Sequence, residues 1–360
     1  MISGGGTGGH IYPAIAIANA WSEKHPGTEI LFVGAEGKME MQKVPEAGYA
    51  IVGLKVAGLQ RRLTMDNFSF PMKLLTSIKK SGRILENFQP DAVVGVGGYA
   101  SGPILYMAQR KKIPTLIQEQ NSYAGLTNKL LAKNAQTICV AYPKMDSFFP
   151  RAKINFTGNP VRKDILFLGG KIDQAFIHFG LERYKPVLLI LGGSLGAKTI
   201  NQAVLQHVTE FVALGYQVLW QTGKSYFHEM NKELDRLGLK HVHALEFIRE
   251  MDLAYAAADL VISRAGALSV SELSLVGKAV VFIPSPNVVE DHQTKNAMAY
   301  VRQEAAVLLM DDEAVEKLLV TVETLMNDPT RRRILGENIL KLAKPDAANE
   351  IVSALEKLIQ

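Results

Sequence analysis

A chain of 360 residues is too long for one ordinary hydrophobic core and suits two domains of roughly 150 to 200 residues each. With 48% hydrophobic and 21% charged residues it has the make-up of a globular protein, and its lone cysteine, Cys139 inside the apolar run Thr137 to Ala141, excludes a disulfide framework and favours a reducing compartment. No stretch approaches the roughly 18 uninterrupted apolar residues that span a bilayer, and the N-terminus lacks the layout of a signal peptide, so the chain is expected in the cytoplasm, where it is able to lie on a membrane.

The first ten residues end in Gly4-Gly5-Gly6-Thr7-Gly8-Gly9-His10, followed by an apolar helical run from about Ile11. Glycines let successive N–H groups turn toward one concavity, and a helix start adds its positive end, so this loop reads as an anion site suited to a diphosphate. His10 then falls at the rim, where an imidazole can act as a base near neutral pH. Only Met1-Ile2-Ser3 precede the loop where a buried strand of four or five residues is expected. Either the first strand is very short, or the chain lacks a few native N-terminal residues and the loop that holds His10 is loosened.

Short β-branched runs alternate with helical patterns from there on: Ile30 to Val33, Ala92 to Val94, Thr115 to Ile117 and Thr137 to Val140, then Val187 to Leu191, Gln217 to Trp220, Leu260 to Ser263 and Val280 to Ile283. Such alternation predicts parallel sheets covered on both faces. The pattern pauses around Thr157-Gly158-Asn159-Pro160-Val161-Arg162 and resumes after Pro186, which places a domain boundary there. Two doubly wound (Rossmann-like) domains facing a cleft are expected, with ligands at the carboxyl ends of the strands.

Residues 50–83 are basic and apolar at once: Lys55, Arg61, Arg62, Lys73, Lys79, Lys80 and Arg83 face one acid, Asp66, with Leu54, Val56, Leu59, Leu63, Phe68, Phe70, Met72, Leu74, Leu75 and Ile78 between them. They contribute to an uneven charge, 20 Lys+Arg against 11 Asp+Glu in residues 1–164 and 20 against 24 in 165–360. A surface for anionic lipid headgroups and an ordinary solvated helix face both fit this pattern. Nucleic acid is not expected, since no binding motif accompanies the charge.

Two more glycine loops follow apolar runs and precede helices, Gly95-Val96-Gly97-Gly98-Tyr99 and Gly192-Gly193-Ser194-Leu195-Gly196-Ala197. One strand–glycine–helix turn is equally well a tight packing device, but three in one chain favour phosphate cradles. None is a P-loop, because Gly223-Lys224-Ser225 lacks the earlier glycine that motif requires. In the second half, Ile262 to Glu272 runs from a strand end through Gly266 into a helix. Amides of Ala267, Leu268 and Ser269 would meet a phosphate, and Glu272 would accept both hydroxyls of a ribose. A capping box, with Ser269 as N-cap and Glu272 at N3, explains the same residues structurally.

These loops, together with Gln118-Glu119-Gln120-Asn121, Ala124-Gly125-Leu126-Thr127-Asn128, Gly158-Asn159-Pro160-Val161-Arg162 and Asp291-His292-Gln293-Thr294-Lys295-Asn296-Ala297, occur in an order that resembles the MurG family of bacterial N-acetylglucosaminyltransferases. The likeness covers about residues 3–300; beyond it only helical periodicity is visible. It implies the GT-B fold and an inverting transfer of GlcNAc from UDP-GlcNAc to the C4 hydroxyl of MurNAc-pentapeptide on undecaprenyl diphosphate, in peptidoglycan synthesis. The implied division is residues 1–160, an acceptor and membrane-facing domain completed by a C-terminal helix at 346–360, and residues 161–345, the UDP-GlcNAc domain.

By matching position, the resemblance makes His10 the base, with Glu119 as runner-up. It puts Thr7, Gly8 and Gly9 near the sugar, Asn121 on GlcNAc, Arg162 and Ser194 on the diphosphate and nucleotide, and backbone groups of Ile248 on the uracil edge. Ala267, Leu268 and Ser269 meet phosphate, Glu272 the ribose and Gln293 the GlcNAc hydroxyls. Gly5, Gly6, Gly97, Gly98 and Tyr99 suit the acceptor's diphosphate and its placement. Each has a structural alternative: Ile248 as core, Ser194 as a helix cap, Arg162 as an interdomain ion-pair partner, His10 as a neighbour of the helix cap.

No Asp-x-Asp stands ready for a metal on the diphosphate, so catalysis without a bound cation or other cofactor is expected. An anionic membrane surface, on the cytoplasmic face of the inner membrane, is the expected location, with cell-wall and division proteins as further partners. The alternatives are another GT-B enzyme, either a glycolipid glycosyltransferase or a UDP-GlcNAc 2-epimerase, and a non-catalytic nucleotide-sugar-binding regulator. An epimerase needs only the nucleotide sugar and leaves the basic, apolar surface and two glycine loops of the first half unexplained. A regulator would make His10 dispensable. A dinucleotide oxidoreductase fails for want of a ribose-binding acid at the right spacing after the Gly192 loop.

Overall fold

The computed structural model describes residues 1–56 and 65–359, apart from the side chains at 65–70, 163, 164 and 289. Leu59, Arg61, Arg62 and Leu63 of the basic, apolar stretch lie outside the described residues, as do the side chains of Asp66, Phe68 and Phe70. The chain forms two units, one of residues 1–161 with 344–360 and the other of 162–343.

The first unit is built on a seven-stranded, all-parallel sheet of β1 (Ile2–Ser3), β2 (Leu31–Ala35), β3 (Ala50–Leu54), β4 (Val93–Gly95), β5 (Thr115–Glu119), β6 (Thr137–Val140) and β7 (Ile154–Phe156), in the order β3-β2-β1-β4-β5-β6-β7. Its first strand spans two residues and is held by both neighbours: Ile2 pairs with Phe32 and Val94, Ser3 with Val33 and Gly95, and the buried Ser3 hydroxyl donates to the Val33 carbonyl at 2.9 Å. The order of the strands reverses between β1 and β4, so the connections leaving their carboxyl ends part in opposite directions and open a crevice between them. The first two glycine loops leave from these two ends.

The second unit has a six-stranded parallel sheet of β8 (Val187–Leu191), β9 (Gln217–Gln221), β10 (Val242–Leu245), β11 (Leu260–Ser263), β12 (Ala279–Phe282) and β13 (Val307–Leu308), ordered β10-β9-β8-β11-β12-β13. Its reversal lies between β8 and β11, and the third glycine loop and the Arg264–Gly266 turn leave there. The central strand β8 is apolar along its whole length, and β11 along all but its last residue, Ser263, as burial on both faces demands. Trp220, fully buried, anchors this core and donates from Nε1 to Asn201 Oδ1 at 3.1 Å. Among the described residues, no helix is long and apolar enough to cross a membrane.

The last helix, Ala347–Ile359, returns to the first unit and packs beside the helix Gly8–Lys24. Glu356 bridges Lys24 at 2.7 Å and His25 at 2.6 Å, but exposed pairs of this kind contribute at most about 1 kcal/mol. Ile351 and Leu355 join the core that contains Ile11, Ile17 and Phe32, and each buried side chain of that size contributes about 1.5–3 kcal/mol. The apolar seam therefore decides the docking. Ile351 has no solvent exposure. Ile351→Ala should destabilise by about 2–5 kcal/mol and speed amide hydrogen exchange in β1, β2 and β4 while leaving β8 to β12 unchanged. Loosening of the second sheet instead would show that the seam holds something else.

Candidate active site

In the first unit the glycine loop turns into the helix Gly8–Lys24 at Thr7, whose extended backbone (φ −147°) makes it the N-cap. His10, on the first turn, is half-buried, and its Nδ1 lies 3.1 Å from the Gly5 carbonyl oxygen and 3.2 Å from Thr7 Oγ1. A carbonyl oxygen only accepts, so this contact requires the proton on Nδ1, and the hydroxyl can accept from the same N–H. The neutral ring then carries its lone pair on Nε2. A Cβ placed on Gly97 would stand 3.0 Å from that atom, so the second glycine loop runs along the same edge of the imidazole.

The two loops meet backbone to backbone. Gly98 sits at φ +84°, and a Cβ there would overlap the Gly5 carbonyl oxygen. Beneath them lies Glu40, with no solvent exposure, at the start of the helix Glu40–Glu46. Its oxygens accept from the Gly6 amide at 3.0 and 3.1 Å and from the Ala35 amide at 2.9 Å. Gly6 was expected to offer its amide to the acceptor's diphosphate. That amide points inward instead, because a buried carboxylate needs donors and the loop supplies the nearest. Nothing in the sequence singles out Glu40, one acid on a short helix among many.

At the end of β5, Glu119 is buried and accepts from the amides of Asn121 at 3.1 Å and Gly125 at 3.0 Å and from Asn128 Nδ2 at 2.8 Å. Burial pushes its carboxyl above the usual carboxylate range, while these donors pull it back. With both oxygens engaged, Glu119 shapes the 119–128 turn and so places Asn121, which is half-buried. A second buried network joins this turn to the Gly158-Asn159-Pro160 segment: Gln118 Nε2 donates to Asn159 Oδ1 at 2.9 Å, Asn159 Nδ2 to the Gln120 carbonyl at 3.0 Å, and Gln120 Nε2 to the Val96 carbonyl at 2.7 Å. Tyr99 is exposed beside it.

The second unit gathers the rest. The helix Ala267–Val276 begins with Gly266 as its N-cap, three residues ahead of the capping-box expectation, so Ser269 is the third helical residue and Glu272 lies on the second turn. The amides of Ala267, Leu268 and Ser269 therefore form the helix N-terminus, as the phosphate reading requires. Glu272 Oε1 pairs with Arg162 Nε at 3.2 Å and Oε2 accepts from the Tyr255 hydroxyl at 3.4 Å. Arg162 and Glu272 belong to the same unit.

Gln293 is the second residue of the helix His292–Val301, which follows Glu290 and Asp291, both at φ +55°, and its Oε1 accepts from the Ser285 amide at 2.9 Å. That contact fixes the orientation of its carboxamide. Ile248 is buried and its amide donates to Gln221 Oε1 at 2.9 Å, so a base edge would meet its carbonyl. Ser194 is exposed on the third glycine loop, and its carbonyl accepts from the Lys224 amide at 3.1 Å. The Gly223-Lys224-Ser225 stretch thus braces that loop. A glutamine closing the apolar run Val218 to Trp220 was the one visible hint of Gln221's role.

Two family models match the chain, the glycosyltransferase family 28 N-terminal domain over residues 1–140 and its C-terminal domain over 187–351. The crystal structure of Acinetobacter baumannii MurG superposes with a TM-score of 0.80 at 29% identity, covering 99% of both chains. A curated relative from Flavobacterium psychrophilum, named UDP-N-acetylglucosamine--N-acetylmuramyl-(pentapeptide) pyrophosphoryl-undecaprenol N-acetylglucosamine transferase, is 52% identical over all of this chain and 97% of its own. This chain belongs to the MurG family. A relative from Porphyromonas gingivalis strain W83 with the same name is 51% identical over all of this chain and 95% of its own. The two Rossmann-like units give this MurG-family chain the GT-B fold. Its likeness to UDP-GlcNAc 2-epimerase from Neisseria meningitidis, TM-score 0.68 at 16% identity, is one of fold alone.

The contact between the two glycine loops sets a test. Gly98→Ala should separate them and cost more than the about 1–3 kcal/mol of a strained backbone. Gly6→Ala, at φ +87° with open space around the added methyl, should cost only that strain. Equal melting temperatures for the two variants would show that the loops do not depend on close approach.

Proposed function

We infer that this chain is an inverting glycosyltransferase that moves GlcNAc from UDP-GlcNAc to the C4 hydroxyl of MurNAc-pentapeptide on undecaprenyl diphosphate, converting lipid I to lipid II in peptidoglycan synthesis. Relatives of this name at 50% identity and above, over the whole chain, support the reaction. The observation that carries the mechanism is the imidazole of His10, held at Nδ1 by the Gly5 carbonyl so that Nε2 keeps the lone pair. As the acceptor O4 attacks the anomeric carbon, its proton goes to His10 Nε2, the C1–O bond to UDP breaks on the opposite face, and configuration inverts. The charge that develops on UDP is assigned to the amides of Ala267, Leu268 and Ser269 and to Arg162.

The second unit binds the donor in this reading. Ribose hydroxyls donate to Glu272, uracil N3–H to the Ile248 carbonyl, and Gln293 and Asn121 reach the GlcNAc hydroxyls, with Ser194 beside the nucleotide. Thr7, Gly8 and Gly9 lie near the sugar. The first unit receives the acceptor: Gly97, Gly98 and the start of the helix Gly8–Lys24 offer its diphosphate their amides, Tyr99 flanks it, and Gly5 and Gly6 serve by shape. Residues 1–161 with the C-terminal helix are thus the acceptor domain and residues 162–343 the donor domain.

The membrane-facing surface is assigned to the helix Met65–Phe88, which exposes Met72 by 74% and Leu75 by 60%, one turn apart, with exposed Lys79 one turn further. Lys80 is paired with Glu36 at 3.0 Å and contributes less. Apolar side chains next to a lysine suit an anionic headgroup layer on the cytoplasmic face of the inner membrane. Replacing Met72 and Leu75 by serine and Lys79 by glutamine should weaken binding to vesicles containing anionic lipid, with about 1 kcal/mol from the charge, and spare turnover of a water-soluble acceptor. Unchanged vesicle binding at low salt would assign another surface.

Two variants test the mechanism. His10→Ala should lower kcat by about 10²–10⁴ and erase the acidic limb of the kcat/KM profile, with calorimetric UDP-GlcNAc affinity unchanged. His10→Gln, which hydrogen-bonds but takes no proton, should be nearly as inactive; recovery of activity there, or an acidic limb that persists, makes His10 a shaping residue. Glu272→Ala should raise the KM for UDP-GlcNAc by the equivalent of about 1.5–3 kcal/mol with little change for the acceptor. A lowered melting temperature with KM intact would give Glu272 a structural duty only.

A further inference from the structure

The buried Glu40 is absent from the mechanism above, yet it reaches His10 through a single peptide unit. The Gly6 N–H that donates to Glu40 and the Gly5 carbonyl that accepts from His10 Nδ1 belong to one and the same peptide plane. We propose that Glu40 is a positioning residue for the base, acting on the His10 imidazole through the Gly5–Gly6 peptide. The proposal rests on His10 being the base.

The chemistry follows from polarisation along a hydrogen-bonded chain. A carboxylate pulling on the N–H end of an amide increases the negative charge on its carbonyl oxygen, and that oxygen then holds an Nδ1–H more firmly. Two effects reach the ring. The Nδ1–H tautomer is fixed, keeping the lone pair on Nε2, and the imidazolium formed during transfer is stabilised, so the base is stronger. No proton crosses the peptide; Glu40 accepts throughout, since each of its contacts is an N–H donor. Burial keeps the effect large, because Glu40 has no exposure and Ala35 and Gly6 fix its place. The other titratable groups on the segments around the ring are Tyr12 on its own helix, Tyr99 on the second loop and Glu119 at the end of β5. Glu119 turns its oxygens to the 121–128 turn.

The tautomer is read in the unaltered protein, from the ¹⁵N shifts of the His10 ring, assigned by their loss in His10→Ala. Neutral His10 should be protonated at Nδ1; protonation at Nε2 overturns the proposal whatever the variants do. In Glu40→Gln, which keeps the size and one acceptor but removes the charge, the imidazolium loses its partner charge. Its titration midpoint and the acidic limb of kcat/KM should both move to lower pH by about half a unit or more, and kcat should fall roughly tenfold. Glu40→Asp, which restores the charge one methylene further away, should bring the midpoint part of the way back. A Glu40→Gln protein that binds UDP-GlcNAc normally with midpoint and kcat unchanged overturns the proposal. An acidic limb that survives His10→Ala would instead sink the base assignment, and the ring titration tells the two failures apart.

Discussion

In each unit the order of strands reverses once, between β1 and β4 in the first and between β8 and β11 in the second, and the three glycine loops and the helix start at Ala267 follow those four strand ends. At a reversal the two connections leave in opposite directions, so backbone amides are exposed where two helices start side by side. A strand of two residues can occupy such a position because it is hydrogen-bonded on both sides. The glycine loop that leaves this strand meets Gly98 of the neighbouring loop and the carboxylate of Glu40.

The two buried carboxylates of the first unit show how such loops are held. An unpaired buried charge costs several kcal/mol, so each must be surrounded by donors, and a loop with amides to offer is the cheapest supply. Glu119 draws in the 121–125 amides and Asn128, Glu40 the amides of Gly6 and Ala35. Both loops become rigid without any regular secondary structure of their own. Rigidity matters for a base, because a lone pair misplaced by an ångström loses much of its effect.

The central strands, the three glycine loops and the helix start at Ala267 are visible in the sequence because burial on both faces leaves unbroken apolar runs and tight turns need glycine. Strands β3, β7, β10 and β13, absent from the sequence reading, are the four edges of the two sheets. At two of these edges a polar residue breaks the run, since β7 reads Ile-Asn-Phe and β10 Val-His-Ala-Leu, whereas β3 reads Ala-Ile-Val-Gly-Leu and β13 is only two residues long. Ser269 and Glu272 fit a capping box by spacing alone, and only the backbone reveals that the helix starts earlier, at Gly266. Glu40, Gln221 and Tyr255 escaped notice for a related reason. Their roles depend on which backbone comes near them, and that is a property of the tertiary fold.

The return of the last helix to the first unit bears on the order of synthesis. Domains of a growing chain ordinarily mature from the N-terminus onward. Here the core around Ile11, Ile17 and Phe32 is closed by Ile351 and Leu355, which are made after residues 162–343, one uninterrupted unit. The second domain can therefore complete its core before the first, and the N-terminal sheet waits, with the apolar flank of its opening helix uncovered, until the helix Ala347–Ile359 arrives. Closure of the first unit therefore waits on the helix Ala347–Ile359, so a chain that stops short of that helix keeps a finished second unit and a first unit that cannot close.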